Sequence, residues 1–295
     1  MTAKRPLLVG TVTLDYLHEG PIGRALPPAT LRWGGVIHNV ACAMAARGSN
    51  PLFLTATYTG DLAPAVTGHL AAHGVDRLTL PVEAPLPLFE AQLIDGSVTD
   101  KHFVGQEALD LLTPGLLDTR ADLFDNASVV VAGTDSHPAT LAWLCTAARD
   151  RDIPFWLLSA DPTEVHKLVP EGQHATFVSL NARELSLWAG ADLPDHDAIA
   201  AAARELVTSG GHALVTLGPQ GAVLVPADGT TPLHQPAPTI NGHPLTVGAG
   251  DILFACLLSA RLTPTPWPQA LRQAATLTTT YLTTPAYTAL RPTAQ

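Results

Sequence analysis

The sequence has little positive charge, few cysteines and no long apolar run. Its 295 residues include 16 Lys and Arg against 26 Asp and Glu, and the formal net charge is -10. Sequence-independent binding of nucleic acid needs a basic surface, so we do not expect that function. No apolar stretch is long enough to span a bilayer, and no secretory signal is evident. We therefore expect a cytoplasmic protein that does not act at a membrane.

The cysteines form neither a disulfide framework nor a familiar metal motif. Cys42, Cys145 and Cys256 are far apart, odd in number, and each lies in an apolar segment. This pattern predicts three reduced thiols in the core. The remaining composition, 46% hydrophobic and only 14% charged, is typical of a folded chain with a large core.

Short apolar runs alternate with segments of helical periodicity. The alternation predicts one α/β domain over residues 1–295, with a mostly parallel sheet that is covered on both faces. Strands are expected at Leu7–Val12, Leu52–Ala56, Ser128–Ala132, Pro154–Ser159, Thr176–Leu180, Ala213–Leu217 and Ala222–Val225. Helices are expected at Val36–Arg47, Leu62–His73, Pro138–Asp150, Ala182–Ala189, His196–Thr208, Asp251–Leu262 and Trp267–Leu282.

Two regions interrupt this alternation. Leu88–Ile94 and Ser97–Val104 flank Asp95-Gly96, which is a strong signal for a β-hairpin. Residues Leu14–Arg32 have an irregular pattern that is rich in proline and glycine. We expect segments near 13–33 and 86–105 to form a small lid over a site, and the hairpin to become ordered when substrate binds.

The segment Thr246–Asp251 combines a glycine turn, a helix start and a carboxylate. Gly248 and Gly250 allow backbone amides to approach an anion closely. The first turn of the apolar helix that follows has unpaired N–H groups and a positive dipole end, which bind phosphate. Asp251 would then lie beside the place of phosphate chemistry. Alternatively, the glycines only permit tight packing, and Asp251 only complements the helix dipole.

A second glycine pair precedes a predicted helix. Gly34 and Gly35 permit a ligand to approach the backbone, and Asn39 follows Gly35 by about one helical turn, on the same side. Its amide can both donate to and accept from a hydroxylated ligand. Alternatively, this is an ordinary turn with Asn39 as a surface residue. For His38 a surface or core position is favoured over a catalytic one.

Asn181 and Glu184 come directly after the strand Thr176–Leu180. Ligands of α/β sheets bind beyond the carboxyl ends of strands, and these two side chains share one helical face. They could hold a hydrated Mg²⁺ through water. They could equally form a capping box, with Asn181 as the N-cap residue.

Three further positions are candidates with ordinary alternatives. Thr216 and Gly218 could line a nucleotide pocket, or belong to a simple hairpin with a four-residue loop. Asp15 follows the first strand, where a carboxylate could bind substrate hydroxyls. Asp61 is expected to cap the helix that starts at Leu62.

Taken together and in this order, the motifs resemble those of the ribokinase-like (PfkB-type) carbohydrate and nucleoside kinases. The matching elements are Asp15, the Gly-Gly-x-x-x-Asn of Gly34 to Asn39, the Asn-x-x-Glu of Asn181 to Glu184, the Val-Thr-Leu-Gly-x-x-Gly of Val215 to Gly221, and the Gly-Ala-Gly-Asp of Gly248 to Asp251. The match runs from about Leu7 to the final helix. It implies a three-layer α/β/α sandwich with a small β lid, and the cofactors ATP and Mg²⁺.

The resemblance also implies a role for each motif. Asp251 would be the general base, and the anion hole would be formed by Gly248, Ala249 and Gly250. The acceptor-binding residues would be Asp15, Gly34, Gly35 and Asn39. His38 is a further candidate at the acceptor, because it stands where pseudouridine kinases often carry Arg. The residues at the nucleotide would be Asn181, Glu184, Thr216, Gly218, Gly221 and Lys167, with Asn181 and Glu184 reaching Mg²⁺ through water.

Within the family, the middle of the chain is most similar to pseudouridine kinases, in the segments Thr140–Leu144 and Asp161–Lys167. A pseudouridine-like nucleoside is therefore the expected acceptor. The alternatives are a sugar such as ribose or a ketohexose, or a non-catalytic nucleoside- or sugar-binding protein on the kinase scaffold. Leu245 stands where the family usually has an acidic or amide residue of a monovalent-cation site. It is therefore open whether this protein requires a monovalent cation. The lid of this family can pair two subunits, so a homodimer is compatible with the resemblance.

Overall fold

The computed structural model describes residues 4–24, 28–242 and 244–292. The strands within these residues are β1 (Arg5–Val9), β2 (Thr13–His18), β3 (Ala29–Gly34), β4 (Leu52–Tyr58), β5 (Asp76–Ala84), β6 (Leu88–Ile94), β7 (Ser97–Val104), β8 (Ala127–Gly133), β9 (Phe155–Leu158), β10 (Ala175–Asn181), β11 (Val207–Thr216), β12 (Ala222–Pro226) and β13 (Leu233–Gln235). The α-helices are α1 (Val36–Ala46), α2 (Ala63–Ala72), α3 (Pro114–Asp118), α4 (Asp122–Asp125), α5 (Pro138–Arg149), α6 (Ala182–Ala189), α7 (His196–Arg204), α8 (Ala249–Arg261) and α9 (Trp267–Thr283).

The larger sheet has nine strands in the order β13-β12-β11-β10-β9-β8-β1-β4-β5. Its strands pair in parallel except at β11–β12 and β12–β13. Successive side chains of a strand enter opposite cores: Leu7 and Val9 pack with α5, α6 and α7, whereas Leu8 packs with α1, α2, α8 and α9. The predicted three-layer α/β/α fold is confirmed, and the three cysteines are buried and unpaired.

The smaller sheet has the order β3-β2-β6-β7. The predicted hairpin is present with the predicted bounds, and its turn residues Asp95 and Gly96 have φ of 49° and 74°. Two positive φ values are typical of a tight hairpin turn that matches the strand twist. The irregular interpretation of Leu14–Arg32 is wrong at both ends of the segment, because β2 and β3 pair with each other there and β2 also pairs in parallel with β6. Residues 19–24, between the two strands, are irregular as expected. Residues 25–27 of that segment lie outside the described residues.

Several element bounds differ from the expectations for local reasons. β1 ends at Val9, and β11 begins at Val207, inside the expected end of the preceding helix. Strand β5 was missed because Pro81 interrupts its pattern; it lies at the edge of the large sheet, where proline is tolerated. Asp61 does not cap α2: the helix begins after Leu62 without a side-chain cap, and the Ala63 amide donates to the Gly60 carbonyl at 3.1 Å.

Candidate active site

The glycine turn before α8 has the geometry that an anion-binding helix start needs. Gly248 is the N-cap residue with φ of 84°, a left-handed conformation that favours glycine. The amide of Ala249 donates to the Thr246 carbonyl at 3.0 Å, so it faces back into its own loop. The amides of Gly250 and Asp251 lie in the first turn and lack intrahelical partners, whereas the Ile252 amide already donates to the Gly248 carbonyl at 3.1 Å. The positive end of the α8 dipole therefore lies beside Asp251, in the first turn.

Asp251 is held by a chain of hydrogen bonds from two distant elements. The Asn39 Nδ2 group donates to Asp251 Oδ2 at 2.8 Å, and the Tyr287 hydroxyl donates to Asn39 Oδ1 at 2.8 Å. Asn39 is buried, so its alternative interpretation as a surface residue is wrong. Burial raises the pKa of Asp251 to about 7; the Asn39 hydrogen bond opposes that rise, and the Asp135 carboxylate adds to it. Such a carboxylate can accept a proton near neutral pH.

Gly34 and Gly35 are both required by close contacts. A Cβ atom at Gly34 would lie 2.0 Å from Asp15 Oδ2, so this glycine leaves room for the carboxylate. Gly35 has φ of 103°, and a Cβ atom there would lie 2.6 Å from the Thr11 carbonyl oxygen. The glycine pair thus brings the start of α1, and with it Asn39, close to Asp15.

Asp15 is buried on β2, and its surroundings set its charge. Burial raises its pKa, whereas the hydrogen bond from Thr13 and the Arg32 guanidinium lower it. The Thr13 hydroxyl donates to Asp15 Oδ1 at 2.6 Å, and Arg32 Nε lies 3.8 Å from Asp15 Oδ2. Arg32 also donates to the Val247 carbonyl at 3.2 Å. One arginine therefore joins the smaller sheet to the glycine turn.

Asp15, Asn39 and Asp251 line one cavity of about 360 Å³. Its lining includes five acidic residues, because Asp135, Asp161 and Glu164 join Asp15 and Asp251 there. The cation among its lining residues is Lys101 of β7, which forms an ion pair with Asp161. Phe89 and Phe103 of the hairpin also line this cavity, with ring centroids 6.0 Å apart. The cavity thus offers hydrogen-bonding carboxylates, and an aromatic surface from the smaller sheet.

A groove of about 690 Å³ meets this cavity at Gly248 and Asp251. Asn181 and Glu184 line it, and they also form the capping box: Asn181 Oδ1 accepts from the Glu184 amide at 2.8 Å, and Glu184 Oε2 accepts from the Asn181 amide at 2.9 Å. The cap and a role in the groove are thus compatible. Burial raises the pKa of Glu184, and hydrogen bonds to the Asn181 amide lower it.

The oxygen atoms at this end of the groove fit a hydrated Mg²⁺. The capping bonds engage Glu184 Oε2 and Asn181 Oδ1, and the second carboxylate oxygen of Glu184 takes no part in the cap. Mg²⁺ prefers oxygen donors and keeps several waters, so binding through water suits these side chains. Lys101 reduces the negative charge here, since it lines the same groove.

A third, largely apolar cavity of about 540 Å³ opens from the groove. Thr216 lines both, and Gly218 and Gly221 line the cavity together with Leu253 and Ala275. The predicted hairpin of β11 and β12 is present, but Thr216 lies opposite Ala222, so the loop has five residues and not the expected four. A Cβ atom at Gly221 would lie 2.0 Å from the Gln235 carbonyl oxygen, so close packing explains this glycine.

His38 and Lys167 are not brought to the surface of these cavities. His38 is fully buried behind Asn39, with its Nδ1 atom 3.1 Å from Asn39 Oδ1. His38 therefore occupies a core position, which was one of the alternatives to a catalytic role. Lys167 pairs with Glu164 and donates to the Ser136 carbonyl at 3.2 Å, so it reaches the acceptor cavity only through Glu164.

The sequence did not point to several residues of this group. Asp135 and Asp161 follow β8 and β9, so the signal that identified Asp15, a carboxylate after a strand, was available for both. Burial raises the pKa of Asp135 to about 6. No local signal marks Lys101, whose position depends on the hairpin, or Tyr287, which approaches from the end of the chain.

Comparisons with known proteins agree with this arrangement. The sequence profile of the pfkB family of carbohydrate kinases matches residues 17–293. A 1-phosphofructokinase of Xanthomonas campestris pv. campestris is 28% identical over 270 residues, which cover 87% of this chain and 82% of that protein. None of the helices in the described part of the chain has the length and apolar character that a membrane crossing requires.

Solved structures show the same fold. The adenosine kinase of Sinorhizobium meliloti superposes with a TM-score of 0.80 at 18% identity, over 99% of this chain and 97% of that one. The ribokinase of Arabidopsis thaliana, complexed with ribose and ATP, superposes with a TM-score of 0.78 at 19% identity, over 99% and 96% of the two chains.

Proposed function

The chain belongs to the pfkB family of carbohydrate kinases and is a phosphotransferase with an alcohol group as acceptor, and we propose that it phosphorylates a primary hydroxyl of a pseudouridine-like nucleoside. The phosphoryl donor in this proposal is ATP. The observation that carries it is Asp251, a carboxyl group with a pKa of about 7 at a helix N-terminus, where the acidic cavity meets the groove.

Each part of the site has a chemical task in this proposal. Asp15 and Asn39 orient the acceptor, and Asp251 takes the proton of its attacking hydroxyl group. The glycine turn and the start of α8 stabilise the negative charge that develops on the transferred group. Mg²⁺, held through water by Asn181 and Glu184, would neutralise charge on the phosphates. The smaller sheet covers the cavity and keeps water out.

The lining of the acceptor cavity favours a neutral acceptor with a planar part. Its carboxylates would repel a phosphate group on the acceptor, and Lys101 is already paired with Asp161. The same carboxylates accept hydrogen bonds from sugar hydroxyls. Phe89 and Phe103 provide aromatic surface against which a base can pack. A sugar acceptor is the second candidate, because the chain resembles a 1-phosphofructokinase.

For the nucleotide we propose that the apolar cavity beside α9 takes the adenine. Leu253 and Ala275 provide apolar walls, and Thr216 stands at its junction with the groove. Gly218 leaves the loop open on this side, since a Cβ atom there would meet nothing within 4 Å. The phosphates would then follow the groove from Thr216 toward Gly250.

We also propose that the smaller sheet is the lid of a single kinase domain. It contacts the body through the Thr246 amide, which donates to the Gly96 carbonyl at 3.1 Å, and through the Lys101–Asp161 ion pair. Its outer surface exposes Leu31, Ile94 and Val104, which supports a homodimer through the lid. Light scattering of the purified protein tests this: a monomer at all concentrations would contradict the dimer.

The decisive experiment is a comparison of acceptors. ADP release with ATP and Mg²⁺, with and without K⁺, is measured for pseudouridine, uridine, adenosine, ribose, fructose and fructose 1-phosphate. We expect the highest kcat/KM on a nucleoside, and phosphorylation at its primary hydroxyl. A highest kcat/KM on fructose 1-phosphate would refute the neutral acceptor, while activity on ribose or fructose alone would replace the nucleoside with a sugar.

A further inference from the structure

A group of three potential metal ligands lies between α1 and α2, on the far side of Asn39 from the acceptor cavity. His38 and Cys42 are four residues apart on α1 and therefore share one face of the helix, and His69 belongs to α2. The distance from His38 Nε2 to His69 Nε2 is 3.0 Å, and that from Cys42 Sγ to His38 Nε2 is 3.5 Å. One ligand atom from each residue lies within 4.8 Å of the others.

The hydrogen bonds of Asn39 determine which nitrogen of His38 carries its proton. Because Asn39 Nδ2 donates to the Asp251 carboxylate, Asn39 Oδ1 is the atom that faces His38. An amide oxygen only accepts, so His38 Nδ1 carries the proton and donates to it. His38 Nε2 then keeps its lone pair, and both His69 Nε2 and Cys42 Sγ lie within 3.5 Å of it. This is the outer-shell bond that orients a metal-ligating imidazole.

We propose that His38, Cys42 and His69 bind a zinc ion. With Zn–N of about 2.0–2.1 Å and Zn–S of about 2.3 Å, a tetrahedral site requires N–N and N–S separations of roughly 3.4 and 3.6 Å. The observed 3.0 and 3.5 Å differ by a few tenths of an ångström from two of the three separations that such a site requires, and the third pair of ligand atoms lies within 4.8 Å. Imidazole and thiolate suit zinc better than Mg²⁺ or Ca²⁺, which prefer oxygen. The thiol of Cys42 gives up its proton to solvent when the Zn–S bond forms.

Access to the site differs among its three ligands. His38 and Cys42 are fully buried, whereas His69 is only partly buried, so the ion enters past His69. A water that enters on this side would be the fourth ligand of a tetrahedral site. Without the ion, a hydrogen bond from His69 to His38 satisfies the pair, and the helices pack in the same way. Zinc would tie α1 to α2 and fix His38 against Asn39, independently of which acceptor the enzyme uses.

Zinc binding is measured by competition with a chromophoric chelator, on metal-free protein without nucleotide and with excess Mg²⁺ to occupy oxygen sites. The variants are Cys42→Ala and His69→Gln. The control for the cysteine is Cys145→Ala, because Cys145 is also buried in a helix. The control for the histidine is His212→Gln, because His212 is partly buried and packs on a tryptophan, as His69 does. Cobalt(II) replaces zinc in a parallel titration, because its absorption reports a thiolate ligand.

We expect one zinc per chain in the wild-type protein and in both controls. Each test variant should bind zinc at least about 100-fold more weakly, since loss of an outer-shell partner alone costs 10–100-fold. Cobalt should show the thiolate band in the wild type and not in Cys42→Ala. Circular dichroism of the metal-free variants verifies that they fold. If Cys42→Ala is unstable, His69→Gln provides the second test, because His69 is partly exposed. The proposal would be overturned if the wild-type protein did not bind one equivalent of zinc, or if the test variants bound zinc with the wild-type affinity.

Discussion

Replacement of Asn39 by alanine tests how the environment of Asp251 controls its proton affinity. Asn39 Nδ2 donates to Asp251 Oδ2 at 2.8 Å and lowers a pKa that burial raises to about 7. A hydrogen bond to a charged group contributes about 1.5–3 kcal/mol, and one pKa unit corresponds to about 1.36 kcal/mol. Because Asp251 is partly accessible to water, we expect the lower end, a rise of about one unit in Asn39→Ala.

The sign of the effect on catalysis follows from the role of Asp251 as a base. The base must be ionised, so activity is lost as pH falls through its pKa. At pH 7.5, a rise of the pKa from about 7 to about 8 reduces the ionised fraction roughly threefold, from about three quarters to about one quarter. The part of the activity loss in Asn39→Ala that comes from the smaller ionised fraction of Asp251 should disappear above about pH 9.

The assay is kcat/KM for the best acceptor across pH, because this parameter reports the free enzyme. Asn126→Ala, an exposed asparagine at the end of α4, is the control and should keep the wild-type profile. A loss of the same size at every pH would mean that Asn39 only binds the acceptor. An acidic limb that stays at its wild-type position would refute the proposed control of the Asp251 pKa.

Three further predictions follow from contacts of the site. The folded-state pKa of Asp251 is raised above its ordinary value of 3.8, so its ionisation destabilises the fold as pH rises from about 4 to about 7. Chemical unfolding at pH 8 should therefore show Asp251→Asn to be more stable than the wild type by on the order of 1–2 kcal/mol. A stability difference of the same size at pH 4 would contradict this prediction. Gly34→Ala forces a Cβ atom toward Asp15, so it should cost about 1–3 kcal/mol of stability and raise the KM of the acceptor but not that of ATP. The control Gly68→Ala in α2, where a Cβ atom meets nothing within 4 Å, should be neutral or stabilising. Equal effects of the two substitutions would refute the packing argument. Amide exchange in the hairpin Leu88–Val104 should slow when acceptor and ATP bind, and exchange that saturating ligands leave unchanged would count against lid closure.

The main architecture was predictable because its signals are local. Alternating apolar segments specify a parallel sheet, and the Asp95-Gly96 turn specified its hairpin with the observed bounds. The pairing of β2 with β6 could not be predicted, since it joins segments far apart in the sequence. Pro81 concealed β5, because proline in an edge strand looks locally like a break.

The candidate site was predictable to the extent that its residues stand in turns and at strand ends. Gly34 and Gly248 were identified because backbone conformation and close contacts require glycine. The partner of Asp251 was not identifiable from sequence: Asn39 is over 200 positions away, and only the packing of α1 on α8 brings them together. The resemblance made His38 a candidate at the acceptor, but the helix turns its side chain into the core.

The most direct test of the central claim compares wild type and Asp251→Asn on one acceptor, by single-turnover phosphoryl transfer and by equilibrium binding. We predict that the rate of transfer falls by about 10²–10⁴-fold, as loss of a general base does, while the dissociation constants for acceptor and ATP change by only a few fold. Transfer by Asp251→Asn at the wild-type rate would contradict it, because the proton of the acceptor hydroxyl would then leave by another route.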